Sequence, residues 1–206
     1  MLKYLLYVLI GIILIIGIIS LFHLISVNSK NKKEMAKYMD KTEVYTNNLG
    51  KTLVVYYSLS GKTKDIAEQI QKITNADIYE IKTIEKFKTN PSFYSKIKKQ
   101  LKTKQYPEIE ENFPDFSKYN TIFVGSPIWW YTASTPVLSF LEKANFDGKK
   151  VIPFSTEGSN YGTYFEDFNA NAKNANIGQG ESFNNLSEKY NEAVKNKIIV
   201  WLNNIK

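Results

Sequence analysis

The sequence predicts an α/β fold: a doubly wound parallel sheet with helices on both faces, preceded by one apolar helix. Three observations carry this. From residue 52 onward, short apolar runs alternate with segments whose apolar residues recur at helical spacing, the pattern of parallel strands joined by crossover helices. The run Val54-Val55-Tyr56-Tyr57 passes through a hydroxyl-rich turn straight into a helical pattern. Tyr4 to Ile25 is a stretch of 22 residues with no charge.

As a helix that stretch is about 33 Å long, enough for the roughly 30 Å hydrocarbon core of a bilayer. A cleavable signal has a shorter apolar region and small residues at its exit. Here the exit reads Leu21-Phe22-His23-Leu24-Ile25-Ser26-Val27-Asn28. A helix apolar on every face does not suit the outer layer of a sheet either. Residues 1–27 are therefore expected to form a single-pass anchor in the cell membrane. Lys3 precedes the run, and Lys30, Lys32, Lys33, Lys37 and Lys41 follow it. The positive-inside tendency then puts the C-terminal domain in the cytoplasm. Residues 28–48 read as a linker or short juxtamembrane helix, and residues 49–206 as the domain.

Within the domain the expected order is as follows. Strand 1 spans 52–57 and helix 1 spans 63–75, with apolar residues at Ile66, Ala67, Ile70 and Ile73. Strand 2 spans 77–81. A helix follows Pro91, where proline suits a helix start, with Phe93, Tyr94, Ile97 and Leu101 on one face. Strand 3 spans 121–124, and helix 3 begins near Pro136. Strand 4 spans 151–154, helix 4 spans 163–174, and a short fifth strand falls near 176–178. The last helix starts at Ser187 and packs through Tyr190, Val194, Ile198, Trp201, Leu202 and Ile205.

Composition closes several routes. The chain has no Cys and one His, His23 in the apolar run, so thiol catalysis, cysteine-ligated metals and a histidine centre in the domain are excluded. Redox chemistry must come from a borrowed cofactor. All 27 basic residues are Lys, so no guanidinium fork is available for a phosphate. From Asn48 onward 21 Lys face 17 acidic residues, a net of +4. That suits an anionic lipid surface. No basic–aromatic ribbon or recognition motif points to nucleic acid, and none is expected as a partner.

The turn Ser58-Leu59-Ser60-Gly61-Lys62-Thr63 sits where a strand meets a helix N-terminus. Backbone N–H groups there lack intrahelical partners and the dipole favours an anion. A Walker loop needs Gly where Tyr56 stands, and a dinucleotide fingerprint is absent. An ordinary capped helix and a monophosphate cradle of hydroxyls and amides remain. Two further segments separate these. Pro127-Ile128-Trp129-Trp130-Tyr131 follows an apolar strand with three adjacent aromatics that cannot all enter a core. Thr156-Glu157-Gly158-Ser159-Asn160-Tyr161-Gly162 follows another apolar strand with a Gly/Ser/Asn loop.

These three loops, in this order, resemble those of the flavodoxin family, in the branch with a Pro-Ile-Trp-Trp flavin loop. The resemblance covers roughly residues 50–206. It implies a flavodoxin-like five-stranded sheet of order 2-1-3-4-5, with all three loops at the carboxyl edge, where ligands bind in such sheets. It implies FMN as cofactor. The phosphate would rest on the amides of residues 59–63 and the hydroxyls of Ser58, Ser60 and Thr63, with Lys62 a counter-charge or a solvated lysine. The isoalloxazine would lie between the 127–132 and 156–162 loops. Which of Trp129, Trp130 and Tyr131 stacks on it stays open, and at least one is a packing residue. Tyr161 would cover the other face or is a loop tyrosine, and Glu157 reads as an exposed loop carboxylate in preference to a base near the flavin. Family members tend to be acidic, so this basic chain departs from them. The resemblance implies an electron carrier serving a redox partner protein. The alternatives are an NAD(P)H-dependent quinone or flavin reductase, and a flavin-free anchored interaction module.

Overall fold

The computed structural model describes residues 2–184 and 188–206. Its central strands are β1 (Thr52–Tyr56), β2 (Asp77–Glu80), β3 (Thr121–Trp129) and β5 (Lys150–Glu157). Three short strands complete the sheet: β4 (Thr132–Ala133), β6 (Asn176–Ile177) and β7 (Glu181–Asn184). The helices are α1 (Leu2–Ala36), α2 (Lys62–Thr74), α3 (Ser92–Thr103), α4 (Thr135–Lys143), α5 (Tyr164–Asn171) and α6 (Asn191–Asn204). The path β2-β1-β3-β5-β6 is parallel throughout, the expected order once β4 is set aside as a branch.

The sheet has seven strands rather than five, for two local reasons. The third strand does not stop at Gly125. It stays paired with β5 as far as Pro127↔Thr156 and folds back on itself as β4. The fifth position is split. Val151 pairs with Ile177 and Phe154 with Glu181, so Gly178, Gln179 and Gly180 lie opposite only Ile152 and Pro153. This is a one-residue bulge, and it falls beside Pro153, which has no N–H for a ladder.

Apolar alternation along the strands feeds two cores. Val54, Tyr56, Phe123, Ile152 and Phe154 pack with Ile66 and Ile70 of α2 and with Ile198, Trp201 and Leu202 of α6. Leu53, Val55, Ile122, Val124 and Val151 pack with α3, α4 and α5 through Leu101, Phe140, Leu141, Tyr164 and Phe168. Helices therefore cover both faces, as a parallel sheet requires.

α1 is one continuous helix. It is long and apolar enough to cross a membrane, and its apolar part is not buried against the domain. Its last turns are different. Met35 is 1% exposed and belongs to the α2/α6 core. Glu34 pairs with Lys197 of α6 and accepts a hydrogen bond from the Asn184 amide. Beyond α1, Asn196 donates to the carbonyls of Tyr38 and Lys41, and Asn47 donates to those of Leu202 and Ile205. The stretch that reads as a linker thus runs fastened along α6. Ser187, the expected start of the last helix, lies outside the described residues; a short 3-10 turn, Glu188–Tyr190, leads into α6.

Candidate functional site

The β1–α2 turn is built around Gly61, which takes φ of 91°, a conformation costly for any residue with a Cβ. Its N–H donates to Ser58 Oγ at 3.1 Å. The first helical bond of α2 runs from Asp65 N–H to the Gly61 carbonyl, 2.9 Å. The N–H groups of Lys62, Thr63 and Lys64 precede it and have no intrahelical acceptor. Ser60 and Lys62 are exposed. Thr63 is buried, with its hydroxyl 2.8 Å from that of Thr156. This bond ties the turn to the end of β5. The turn therefore offers free amides, a helix dipole and hydroxyls, which together suit an anion.

The second loop is a two-residue hairpin. Ile128 pairs with Ala133 and Trp129 with Thr132, leaving Trp130 and Tyr131 as the connection, at φ of 50° and 66°. Positive φ at both central residues is what a type I′ turn demands, and Asn-Gly usually supplies it. Two aromatics here are strained, at on the order of 1–3 kcal/mol each. The surroundings over-determine them. The Tyr131 carbonyl accepts from Thr163 N–H at 2.8 Å. Gly162 presses so close that a Cβ on it would lie 2.2 Å from that carbonyl oxygen. Asp167 accepts from the Thr132 and Thr163 hydroxyls, and Ser126 Oγ accepts Ser134 N–H.

The three aromatics have separate roles. Trp129 is half-buried and meets Tyr57, Phe87 and Phe93 edge-on at centroid distances of 5.1–5.7 Å; it is a packing residue. Trp130 and Tyr131 are 45% and 59% exposed. The Trp130 indole N–H donates to the Tyr94 carbonyl, 3.2 Å, and Lys98 Nζ lies over its ring.

Leu59, Ile128, Trp129, Trp130, Tyr131, Gly158 and Ser159 line one cavity of about 630 Å³. All three sequence-predicted loops thus meet at the carboxyl edge of the sheet. The cavity can accept a flat apolar ring beside the anion-ready turn. Its far wall, Thr89 to Ile97 at the start of α3, is absent from the sequence-based site. Pro91, Phe93 and Tyr94 read there as a helix start and a packing face. The one available signal is Asn90-Pro91, a turn placed before an aromatic pair.

Four expected residues fall elsewhere. Pro127 and Thr156 are cross-strand partners in the sheet, and Thr156 bonds to Thr63. Tyr161 packs against Phe165 and lines a second groove, between α1 and the domain. Glu157 lines that groove too, and it is not an exposed loop carboxylate: it ends β5 and is 4% exposed. The extension of β5 past Phe154 draws it inward. Burial pushes its carboxyl above the usual range, Lys30 and Lys197 pull it back, and Glu34 adds to the rise. Below the cavity, the buried Tyr164 hydroxyl donates to the Phe154 carbonyl, 2.9 Å, pinning α5 to β5.

The sequence profile of the family described as Flavodoxin matches residues 51–205. The chain belongs to the flavodoxin family. Among solved structures it is similar to a flavoprotein of Lactobacillus acidophilus determined in complex with FMN, at 30% identity and a TM-score of 0.59, covering 64% of this chain and 92% of that one. Two proposed flavoproteins are also similar. One, from Bacteroides uniformis, has 28% identity and a TM-score of 0.64 over 74% of this chain and 97% of its own. The other, from Bacteroides eggerthii, has 26% identity and a TM-score of 0.63 over 74% and 95%. No curated protein matches. The flavodoxin match begins at residue 51, so α1 lies outside it.

Proposed function

We propose that the protein is an FMN-binding, membrane-anchored redox protein that carries electrons to or from a partner protein. The observation that carries this reading is the junction of an anion-ready turn and an aromatic-rimmed cavity at one sheet edge. The residues present fit the group. Gly61 opens the turn and the amides of Lys62 and Thr63 await an anion. The cavity is apolar enough for a planar ring, and its volume lies in the range of small-ligand pockets. The L. acidophilus flavoprotein was solved with FMN, which favours this ligand over other phosphorylated rings.

The amides of residues 59–63 and the hydroxyls of Ser58 and Ser60 would hold the phosphate. Thr63 supports them through Thr156. Trp130 or Tyr131 would cover the ring, and the backbone of Gly158 and Ser159 would face its other side. We place the chain in the Pro-Ile-Trp-Trp branch on residues 127–130. When bound, the flavin supplies the electron-accepting and electron-donating chemistry, which no side chain here can. The protein's part is to bind, orient and shield the ring.

For the membrane, the reading rests on the length of α1, the poor match of its exit to a cleavage site and the lysines after residue 25, which favour a cytoplasmic domain by the positive-inside tendency. A second reading, an NAD(P)H-dependent quinone reductase, is favoured by one observation. The groove joining the β5 loop to α1 also includes Phe22 and Ile25, which brings the site close to where lipid-soluble quinones reside. The purified chain should be yellow, with a flavin absorption spectrum, and should release FMN on denaturation. A colourless protein that cannot be reconstituted would leave only an anchored interaction module.

A further inference from the structure

Where α1 leaves its apolar run it forms one wall of a groove of about 980 Å³, whose other wall is the end of β5 and α6. Ser26, Ser29, Lys30 and Lys33 line it from the helix, and Glu157 lines it from the domain. Both walls are held rigidly. Lys197 is 3% exposed and bridges Glu34 and Glu181 while donating to the Ser182 carbonyl. Burial works against its charge, and the two carboxylates outweigh it, holding the ammonium above the usual lysine value. These three charges therefore satisfy one another.

Among the described residues Glu157 makes no ion pair, although the charges of Lys30 and Lys197 and the Ser182 side chain favour its ionised form. Its Oε2 is buried without a hydrogen bond, a costly state for a carboxyl. Lys30 Nζ, the helix cation whose charge acts on Glu157, makes a 3.4 Å contact to the Ser159 carbonyl. The groove thus presents cations and hydroxyls on one wall and, on the other, a carboxyl with one oxygen left without a hydrogen bond among the described residues.

Depth identifies the occupant. Lys30 lies five residues past Ile25, about 7.5 Å along the helix, and Lys33 about 12 Å, from where a lysine side chain, tilted toward the helix N-terminus, reaches back to the headgroup layer. The headgroup layer extends roughly 5–8 Å beyond the hydrocarbon core. We infer that this groove binds the headgroup of an ethanolamine phospholipid, with its phosphate on Lys30, Lys33 and the Ser26 and Ser29 hydroxyls and its ammonium on Glu157. This rests on the reading of α1 as a membrane anchor. A lipid seated there would fix the domain with its β5 loop toward the bilayer.

The test uses the full-length protein in phosphatidylcholine nanodiscs containing equal shares of phosphatidylethanolamine and phosphatidylglycerol. Native mass spectrometry after detergent release reads which lipid stays bound. One phosphatidylethanolamine per chain should be retained, enriched at least about tenfold over phosphatidylcholine, whose quaternary ammonium has no N–H to give Glu157. Glu157→Gln should abolish that preference, and Lys30→Gln with Lys33→Gln should lower retention of every lipid. The wild-type comparison stands even where a variant fails to fold. Preference for phosphatidylglycerol, equal retention of all three lipids, or no retained lipid would each overturn the inference and leave the anchor intact. A chain that never enters the discs would overturn the anchor reading as well.

Discussion

At Trp130 and Tyr131 the backbone adopts a turn conformation that bulky side chains resist. Gly162, Thr163 and Asp167 hold it in place, and the return is two aromatic side chains at the rim of the cavity. Replacing the pair by Asn-Gly should raise stability by on the order of 1–3 kcal/mol in denaturant unfolding. The same change should weaken flavin binding in titration. Unchanged stability would show that the turn is not strained, and unchanged binding that neither ring covers the ligand. Glu157 carries a second residue-scale consequence. Its folded carboxyl holds a proton more tightly than in the unfolded chain, because burial raises its pKa despite Lys30 and Lys197. Its contribution to stability is therefore greatest below the ordinary carboxylate pKa and falls as pH rises from there through the raised value. Glu157→Gln should remove the part of the pH slope that begins near the ordinary carboxylate value of about 4 and continues upward from it. An identical slope in the variant would mean that the carboxyl is solvated.

Among the elements, α1 and α6 are coupled across the chain. Glu34 and Lys197 are 163 residues apart in sequence, and Met35 fills the core on the same side. Lys197→Met should cost on the order of 3 kcal/mol, the low end for breaking a buried pair, because both carboxylates keep some solvent contact. A chain beginning at Ser26 should melt at higher temperature than one beginning at Asn48, which loses Met35 and the bonds from Asn196 to Tyr38 and Lys41. Equal melting temperatures would reduce the segment to a passive tether. This docking was not legible in the sequence, since Asn28 to Asn48 is polar and its partners lie on the last helix. The buried strands were legible, because residues 53–55, 122–124 and 151–154 are apolar runs that nothing but a two-sided core explains. The continuation of β3 through Ser126-Pro127 was not, because those residues read as a turn and only pairing with β5 keeps them extended. β7 escaped notice for a related reason: Glu181-Ser182-Phe183-Asn184 is a mostly polar edge segment. In the site, the loops following β1, β3 and β5 announced themselves by composition. The α3 wall did not, since Phe93 and Tyr94 look the same whether they face a core or a ligand.

For the whole molecule, the lysines after residue 25 and the long apolar helix predict a protein that resists carbonate extraction, with its domain inside the cell. Protease added to intact cells (protoplasts, where a wall intervenes) should spare a C-terminal tag. A tag removed from intact cells would reverse the orientation. The central claim is that the Ser58–Thr63 turn receives a phosphate while the neighbouring cavity receives a flavin ring. The most direct test titrates FMN and riboflavin into the same apo chain beginning at Ser26 and compares their affinities. Each hydrogen bond to a charged phosphate contributes about 1.5–3 kcal/mol, so FMN should bind at least about a hundredfold more tightly than riboflavin. Equal affinity for the two would contradict the assignment of that turn.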